Sequence, residues 1–458
     1  MTFKNYLDSL KGKRVAVVGA GISNTPLIEA LLASDIDTTV CDNRNHAELG
    51  PIADRFEALG AKFSLGERYL DGLHADVIFR TPGMMPSNPA LMSAVAGGAV
   101  LTSEMEVFFD VCPCKTIGIT GSDGKTTTTS IIGELLKNEG RTVHVGGNIG
   151  TPLLSIADEM QPDDIAVLEL SSFQLITMQK CPDIAVVTNL APNHLDVHSD
   201  MDEYVRAKRN IYINQTSTNC AVFNLDNDYT RNYAGSAPGK VRFFSRKEKV
   251  IDGAYLENGM IYEAVNGKSE AVMTIGDILL PGMHNVENYL AAISAVQGLV
   301  SHETMLHTAK TFQGVSHRIE LVRELHGIRY YNDSIASSPS RTIAGLRSFD
   351  KKVILIAGGK DKGVAFDELG AEIISKVKTL VLIGVAANQI RDAVINTPGF
   401  TGAPEMIMCD GFKEAVLAAT KAAQDGDIVL LSPACTSFDM FKNFEERGET
   451  FRSIVNEL

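Results

Sequence analysis

Residues 116–130, Thr-Ile-Gly-Ile-Thr-Gly-Ser-Asp-Gly-Lys-Thr-Thr-Thr-Thr-Ser, constrain this chain more than any other stretch. The β-branched alternation over 116–120 predicts a buried strand, and Gly121 to Gly124 a turn. Lys125 then opens a helix whose apolar positions run through Ile131, Ile132, Leu135 and Leu136 and stop near Gly140. A strand, a glycine turn and a helix N-terminus form a phosphate cradle. Backbone N–H groups of Gly121, Ser122, Asp123, Gly124, Lys125, Thr126 and Thr127 surround the anion, Lys125 adds a cation, and the Thr126 hydroxyl can reach Mg²⁺. The position five before Gly124 is Ile119, so the motif is the short Thr-Gly-x-x-Gly-Lys-Thr form rather than the standard Walker pattern. An ordinary left-handed turn before a helix needs one glycine, and has no use for the lysine and the hydroxyl run.

At 458 residues the chain is too long for one core, and about three domains are expected. Hydrophobic residues at 45% with 21% charged residues fit a globular chain that is soluble and cytoplasmic. No apolar run reaches the ~18 residues of a membrane span. Residues 1–13 lack the basic-then-apolar layout of a secretory signal. The formal net charge of -14 argues against a nucleic-acid partner, which needs a basic face. Among seven cysteines only Cys112-Pro-Cys114 is a close pair, and no second pair or nearby histidine completes a zinc site. Reduced thiols are expected.

Taken in order, residues 13–19 predict a strand followed by Gly19-Ala-Gly21-Ile-Ser23-Asn24 and a helix to about Ala33. Asn24 stands where a dinucleotide fingerprint has its third glycine, so that fingerprint is broken. A second strand over 38–41 ends in Asp42-Asn-Arg44, and further strands are expected at 77–79 and 99–101. A short helix over 104–110 leads to the phosphate loop. Strands over 165–170 and 184–189 end in polar residues: Glu169-Leu-Ser-Ser-Phe-Gln174, then Asn189 with Asn193, His194 and Asp196 beyond. Carboxyl ends of parallel strands share one edge, so Glu169 and His194 should converge on the Lys125 loop, with Glu169 placed to hold Mg²⁺. Lys208 lies on a helix over about 202–214, whose basic stretch reads by itself as a solvated face. Asn258-Gly259 and Asn266-Gly267 predict a meander of two hairpins appended to this domain. A helix from Val286 to about Leu299 follows. From Thr311 a new unit begins, with strands at 328–332, 353–357, 379–384 and 427–432, a second glycine loop at Gly358–Gly363, and a final amphipathic helix. The residues alone describe an ATP- and Mg²⁺-using ligase or synthase.

At Thr120-Gly-Ser-Asp-Gly-Lys-Thr126, Gly147-Asn-Ile-Gly150, Glu169-Leu-Ser-Ser-Phe-Gln-Leu175, Asn193-His-Leu-Asp196, Tyr204-Val-Arg-Ala-Lys208, Gly282-Met-His-Asn285, His317-Arg-Ile-Glu320 and Asn332-Asp-Ser334 the chain resembles the Mur ligase family. The motifs fall in family order and span essentially the whole chain. The Ser-Ser-Phe-Gln stretch and the ending Ser432-Pro-Ala-Cys-Thr-Ser-Phe-Asp-Met-Phe-Lys-Asn-Phe444 are most similar to the members that add D-glutamate to UDP-N-acetylmuramoyl-L-alanine. The resemblance implies an α/β chain of three domains: 1–103, Rossmann-like, for the UDP-substrate; 104–313, a P-loop-type ATPase domain with added β-hairpins; and 314–458, Rossmann-like, for the amino acid. It implies a monomer whose ATP phosphorylates a carboxylate before the amine of D-glutamate attacks. Lys125, His194 and Lys208 would be catalytic, and Thr126, Glu169, His194 and Lys208 would hold two Mg²⁺, Lys208 as its carbamate. Asn285, Arg318 and Asp333 would bind the nucleotide with the phosphate loop. Ser23, Asn24, Asp42, Arg44, Asn148 and Ser171 would take the UDP-substrate, and Lys362, Ser437, Phe438 and Phe444 D-glutamate.

One position departs from the family. Many such members continue Asn-Asp-Ser with a lysine; here Ile335 stands, and Arg341 or Lys360 is expected to supply the charge. Three rival readings remain at this level. A ligase for another amino acid shares the ATP domain but not the C-terminal stretch. A nicotinamide oxidoreductase would lean on the broken Gly19 turn. A nucleotide switch leaves Lys208 and Ser437 without a role.

Overall fold

The computed structural model describes residues 1–192, 197–361 and 363–458. The chain divides into two compact units, one of 1–275 with 287–308 and the other of 276–286 with 309–458. Both are α/β, built on three sheets in all.

The first unit holds two sheets. The N-terminal sheet is parallel, in the spatial order Lys62–Leu65, Asp37–Asp42, Arg14–Val18, Val77–Arg80, Val100–Thr102. Its central strands Arg14–Val18 and Val77–Arg80 are largely apolar on both faces because both faces are covered there. Val15 and Val17 pack with Leu27, Ile28 and Leu31 of helix Thr25–Ala33, whereas Ala16 and Val18 pack on the other face with Ile78 and Leu91. Arg14–Val18 and Val77–Arg80 are adjacent strands whose connections run outward in opposite directions, which makes the crevice at their carboxyl ends the place where such sheets take ligands.

The nine-stranded sheet runs Lys268–Thr274, Met260–Val265, Gly253–Glu257, Lys240–Ser245, Cys220–Asn224, Ile184–Val187, Lys115–Thr120, Ile165–Glu169, Val143–Gly147. Lys115–Thr120 lies between Ile165–Glu169 and Ile184–Val187, pairing Ile119 with Glu169 and Thr120 with Val187. The two expected hairpins form at Asn258-Gly259 and Asn266-Gly267, where all four residues have positive φ. They are not an appendage, because Gly253–Glu257 pairs in parallel with Lys240–Ser245 and continues the same sheet. Helix Lys125–Asn138 buries Ile131, Ile132, Leu135 and Leu136. The helix carrying Lys208 is Met201–Arg209, shorter than its sequence pattern indicates.

The second unit has a sheet in the order Glu320–Leu325, Ile328–Asn332, Ile428–Leu431, Val353–Gly358, Val377–Ile383, Glu405–Cys409. Only its first strand is antiparallel. The loops that follow Asn332, Leu431 and Gly358 therefore leave one edge side by side. No helix among the described residues is long and apolar enough to cross a membrane.

Candidate active site

Gly121 and Gly124 make the phosphate loop possible. Their φ values are 151° and 77°, and a Cβ at either would strike the Thr188 hydroxyl or the side-chain oxygen of Asn288. The loop is pinned to the neighbouring strand end. Ser122 N–H donates to Asn189 O at 2.9 Å, Asp123 N–H to Asn189 Oδ1 at 3.0 Å, and Thr188 Oγ1 to Asp123 O at 2.6 Å. Ser122 Oγ bonds Ala191 O and the Tyr204 hydroxyl, each at 2.9 Å. Gly124 caps helix Lys125–Asn138 in the left-handed conformation, so the first-turn amides of Lys125, Thr126 and Thr127 face out of the helix start, as an anion requires. Lys125 Nζ donates to Gly121 O at 3.0 Å and Ser122 O at 2.9 Å, which places its charge across the loop.

Glu169 ends the adjacent strand and is 2% exposed. Asn148 holds it twice: the Asn148 N–H donates to Glu169 O at 2.7 Å and Nδ2 to Oε1 at 2.8 Å. Oε2 is buried and has no hydrogen-bond partner among the described residues. A fixed carboxylate with one oxygen left over, beside a threonine at a helix start, is a donor set that fits a hard divalent cation. Lys208 is also 2% exposed; its Nζ donates to Gly121 O at 2.9 Å and Thr120 Oγ1 at 3.2 Å, and lies 4.8 Å from the centroid of the Tyr204 ring. Burial, with Lys125 adding to it, pushes this amine well below the usual lysine range, against the pull of Glu169 and Asp123. The structure thus brings Lys125, Glu169, Asn148 and Lys208 to one end of the sheet. His194 lies outside the described residues, as does Lys362.

The N-terminal crevice is a cavity of about 190 Å³ lined by Val18, Gly19, Asp42, Asn43, Tyr69, Thr81, Gly83 and Met84. Asp42 is buried and accepts from Ala20 N–H at 2.8 Å, from Arg44 N–H at 3.0 Å, and from Arg44 Nε and Nη2 at 2.9 Å each. Burial opposes ionisation, but the bonds from Arg44 and Ala20 outweigh it and hold the carboxyl below its ordinary value. Asn24 is buried with its amide donating to Gly19 O at 2.9 Å, and Ser23 is half-buried beside it. Ser171 caps helix Ser172–Leu175 in a reciprocal box with Gln174.

Sequence reasoning missed Arg80. It ends strand Val77–Arg80 and is 1% exposed. Its Nη1 donates to Met84 O at 3.1 Å, on the wall of the cavity, and its Nη2 to Phe173 O at 2.7 Å and Thr177 Oγ1 at 3.0 Å. One guanidinium therefore ties the crevice to the segment that follows Glu169. Burial lowers its pKa to about 10. The only signal was a charge at the end of the apolar run Val-Ile-Phe-Arg.

In the second unit, Asn285 lies in the first turn of helix Met283–Val296, its amide donating to Pro281 O at 2.7 Å. Arg318 sits between two non-glycine residues of positive φ, His317 and Ile319. Backbone held in this region costs on the order of 1 kcal/mol per residue and gathers at functional turns. Asp333 is buried, accepting from Ser432 Oγ at 2.7 Å and Ile319 N–H at 3.3 Å, and burial raises its pKa to about 7. The glycine loop after Val353–Gly358 pairs with the C-terminal stretch through Lys360 and Thr436, next to buried Ser437. Phe438 is 65% exposed, and Phe444 opens helix Phe444–Glu457 with its ring edge-on to His317. Arg447, also missed, is 1% exposed and clamps this edge, with Nε and Nη2 on Ser334 at 3.0 and 2.8 Å and Nη1 on Cys435 O at 3.1 Å. The Arg341 guanidinium donates to Ile335 O at 3.2 Å, which puts a cation beside the departing position.

Comparison with known proteins agrees with this geometry. Residues 119–296 match the Mur ligase middle domain and 317–435 the Mur ligase glutamate ligase domain. The UDP-N-acetylmuramoylalanine–D-glutamate ligase of Clostridium novyi (strain NT) is 51% identical over 100% of this chain and 99% of its own. That of Acetivibrio thermocellus is 50% identical, with 99% and 98% covered. Among solved structures, the UDP-N-acetylmuramate-alanine ligase MurC of Thermotoga maritima aligns with a TM-score of 0.57 at 17% identity, over 97% of this chain and 99% of that one. MurF of Acinetobacter baumannii aligns with a TM-score of 0.59 at 17% identity, over 84% and 91%. The last two speak to the fold. The chain belongs to the Mur ligase family.

Proposed function

We propose that this chain joins D-glutamate to UDP-N-acetylmuramoyl-L-alanine at the expense of ATP, as an ADP-forming amide-bond ligase of cytoplasmic peptidoglycan precursor synthesis. The observation that carries the reading is the full-length relationship to ligases of that name, combined with a phosphate loop, a half-satisfied Glu169 and a buried Lys208 at one sheet end. The three regions divide the work: 1–103 takes the UDP-substrate, 104–313 the ATP, and 314–458 the amino acid. The chain works as a soluble monomer, with no membrane insertion and no nucleic acid.

Catalysis here is positioning and charge neutralisation, because a carboxylate must approach the γ-phosphate of ATP against repulsion. Lys125 and the first-turn amides hold the phosphates. Asn285, Arg318 and Asp333 contact the rest of the nucleotide. Thr126 and Glu169 would hold one Mg²⁺, and His194 and Lys208 a second. When bound, Mg²⁺ offsets the negative charge that gathers on the transferring phosphoryl group. Lys208 serves as its carbamate: the neutral amine adds to the carbon of CO₂, an N–C bond forms, and a proton leaves. The low proton affinity of the buried amine supports this, since only the free base can add. The terminal alanine carboxylate takes the phosphoryl group as an acyl phosphate, ADP departs, the D-glutamate amine attacks the carbonyl, and phosphate leaves. The UDP portion lies along Ser23, Asn24, Asp42, Arg44, Asn148 and Ser171. D-glutamate lies along Lys362, Ser437, Phe438 and Phe444, with Arg341 in place of the lysine absent at Ile335.

Phosphate release from ATP with UDP-N-acetylmuramoyl-L-alanine, measured with D-Glu, L-Glu, D-Asp or meso-diaminopimelate in turn, tests the reading. Turnover with D-Glu alone is expected. Turnover with another amino acid would keep the family and overturn the C-terminal assignments.

A further inference from the structure

Cys112-Pro113-Cys114 is the one motif of the sequence that the ligase chemistry leaves unused. Cys112 ends helix Glu104–Val111, its N–H donating to Phe108 O at 2.8 Å, and Cys114 immediately precedes strand Lys115–Thr120, which runs into the phosphate loop. The two sulfurs face each other at 3.5 Å in a thiol–thiol hydrogen bond. Among the described residues no other pair of cysteines is in contact, and all seven are free thiols. Cys114 is 7% exposed and lies in the core, whereas Cys112 is half-buried at its edge. The pair is therefore asymmetric at the level of the residues, Cys112 being the less buried of the two.

We infer that Cys112 and Cys114 form a thiol–disulfide site that takes a peroxide as oxidant, with Cys112 attacking and Cys114 resolving. The hydrogen bond from the Cys114 thiol stabilises a thiolate on Cys112 and holds it below the ordinary thiol range, while the same bond, with burial, pushes Cys114 up. Attack of the Cys112 thiolate on hydrogen peroxide breaks the O–O bond, gives a sulfenic acid on Cys112 and releases water once the leaving hydroxide takes a proton. Cys114 then displaces the sulfenic oxygen, an S–S bond forms, and a second water leaves with the Cys114 proton. Two thiols and one peroxide become a disulfide and two waters. Reduction by a dithiol reverses the change. Closure needs the sulfurs to approach by about 1.5 Å, to the ~2.05 Å of a disulfide.

The test treats the full-length enzyme with limiting hydrogen peroxide, counts free thiols and weighs the peptide carrying both cysteines. Loss of two thiols, a peptide lighter by two hydrogens, and restoration by dithiothreitol are expected. Cys112→Ser should abolish the thiol loss. Cys114→Ser should halt at an oxidised Cys112 that a sulfenic-acid reagent labels; it also serves if Cys112→Ser fails to fold. An unchanged thiol count would overturn the inference, as would a loss mapping to Cys181 or Cys409, or wild-type Cys112 reaching the sulfinic acid with Cys114 still free.

Discussion

Between Val18 and Thr25, and again between Thr120 and Lys125, a parallel strand passes through a glycine turn into a helix. The two turns use the same backbone plan and treat negative charge in opposite ways. At the phosphate loop, neighbouring strand ends hold the turn from outside, through Thr188 and Asn189, and the helix start remains faced by amides and the Lys125 amine. At the N-terminal turn the Asp42 carboxylate already accepts the Ala20 N–H and is neutralised by Arg44, while the Asn24 amide fills the space that a third glycine would leave. A carboxylate is built into the N-terminal turn, so the Ala20 amide is already occupied there and the Arg44 guanidinium stands beside it. The strand-turn-helix shape sets where a ligand can go; the side chains that meet the turn set its charge.

The largest effect is expected at the open turn. Lys125→Ala should lower ATP-dependent phosphate release by about 10³-fold or more, measured with all substrates saturating. A loss under tenfold would mean the loop positions nothing essential. Lys208→Ala should fall by about 10²-fold or more, and a short-chain carboxylic acid should restore part of the rate by standing in for the carbamate oxygens. Absence of rescue, with the fold intact, would argue that Lys208 acts as an amine.

Arg80, which joins the N-terminal crevice to the segment after Glu169, gives a smaller and more selective change. Arg80→Met should raise KM for the UDP-substrate by about tenfold with KM for ATP unchanged, and Arg80→Lys should recover part of it. Equal loss of both affinities would make Arg80 a general packing residue. Arg341→Ala should weaken D-glutamate by several-fold, and retained D-glutamate affinity would remove Arg341 from that pocket.

The smallest functional effect belongs to Glu104, a control lying at the joint between the two sheets. Burial raises its carboxyl to about 7, against one hydrogen bond from Leu154 N–H. The folded chain keeps a proton there that the unfolded chain has lost between pH ~4.5 and ~7, so this group lowers stability as pH rises through that window and levels off above it. Glu104→Gln should flatten the fall in unfolding free energy between pH 5 and 8, by an amount on the order of 1–3 kcal/mol, and leave both ligand affinities alone. An unchanged pH profile would show that Glu104 ionises normally.

The phosphate loop was legible because its glycines, lysine and hydroxyls lie within seven consecutive residues, and the β-branched strand before it has one period. Glu169 was legible as a strand-end acid. Arg80 and Arg447 were not, because their hydrogen-bond partners lie 93 and 113 residues away for Phe173 and Ser334, and a lone arginine in sequence reads as solvated. The edge strand Lys62–Leu65 and strands Cys220–Asn224 and Lys240–Ser245 were missed for a related reason: pairing with distant neighbours, rather than a strong local pattern, fixes them. Family likeness supplied Lys208, whose sequence surroundings suggest an exposed helix face although the side chain is buried.

The division of labour between the turns can be measured directly by titration calorimetry of Mg-ATP and of UDP-N-acetylmuramoyl-L-alanine into wild-type, Lys125→Ala and Arg44→Ala protein. The account predicts that Lys125→Ala loses ATP binding and keeps the UDP-substrate, and that Arg44→Ala does the reverse. Loss of both ligands together in either variant, with the fold intact, or ATP binding that survives Lys125→Ala unchanged, would contradict it.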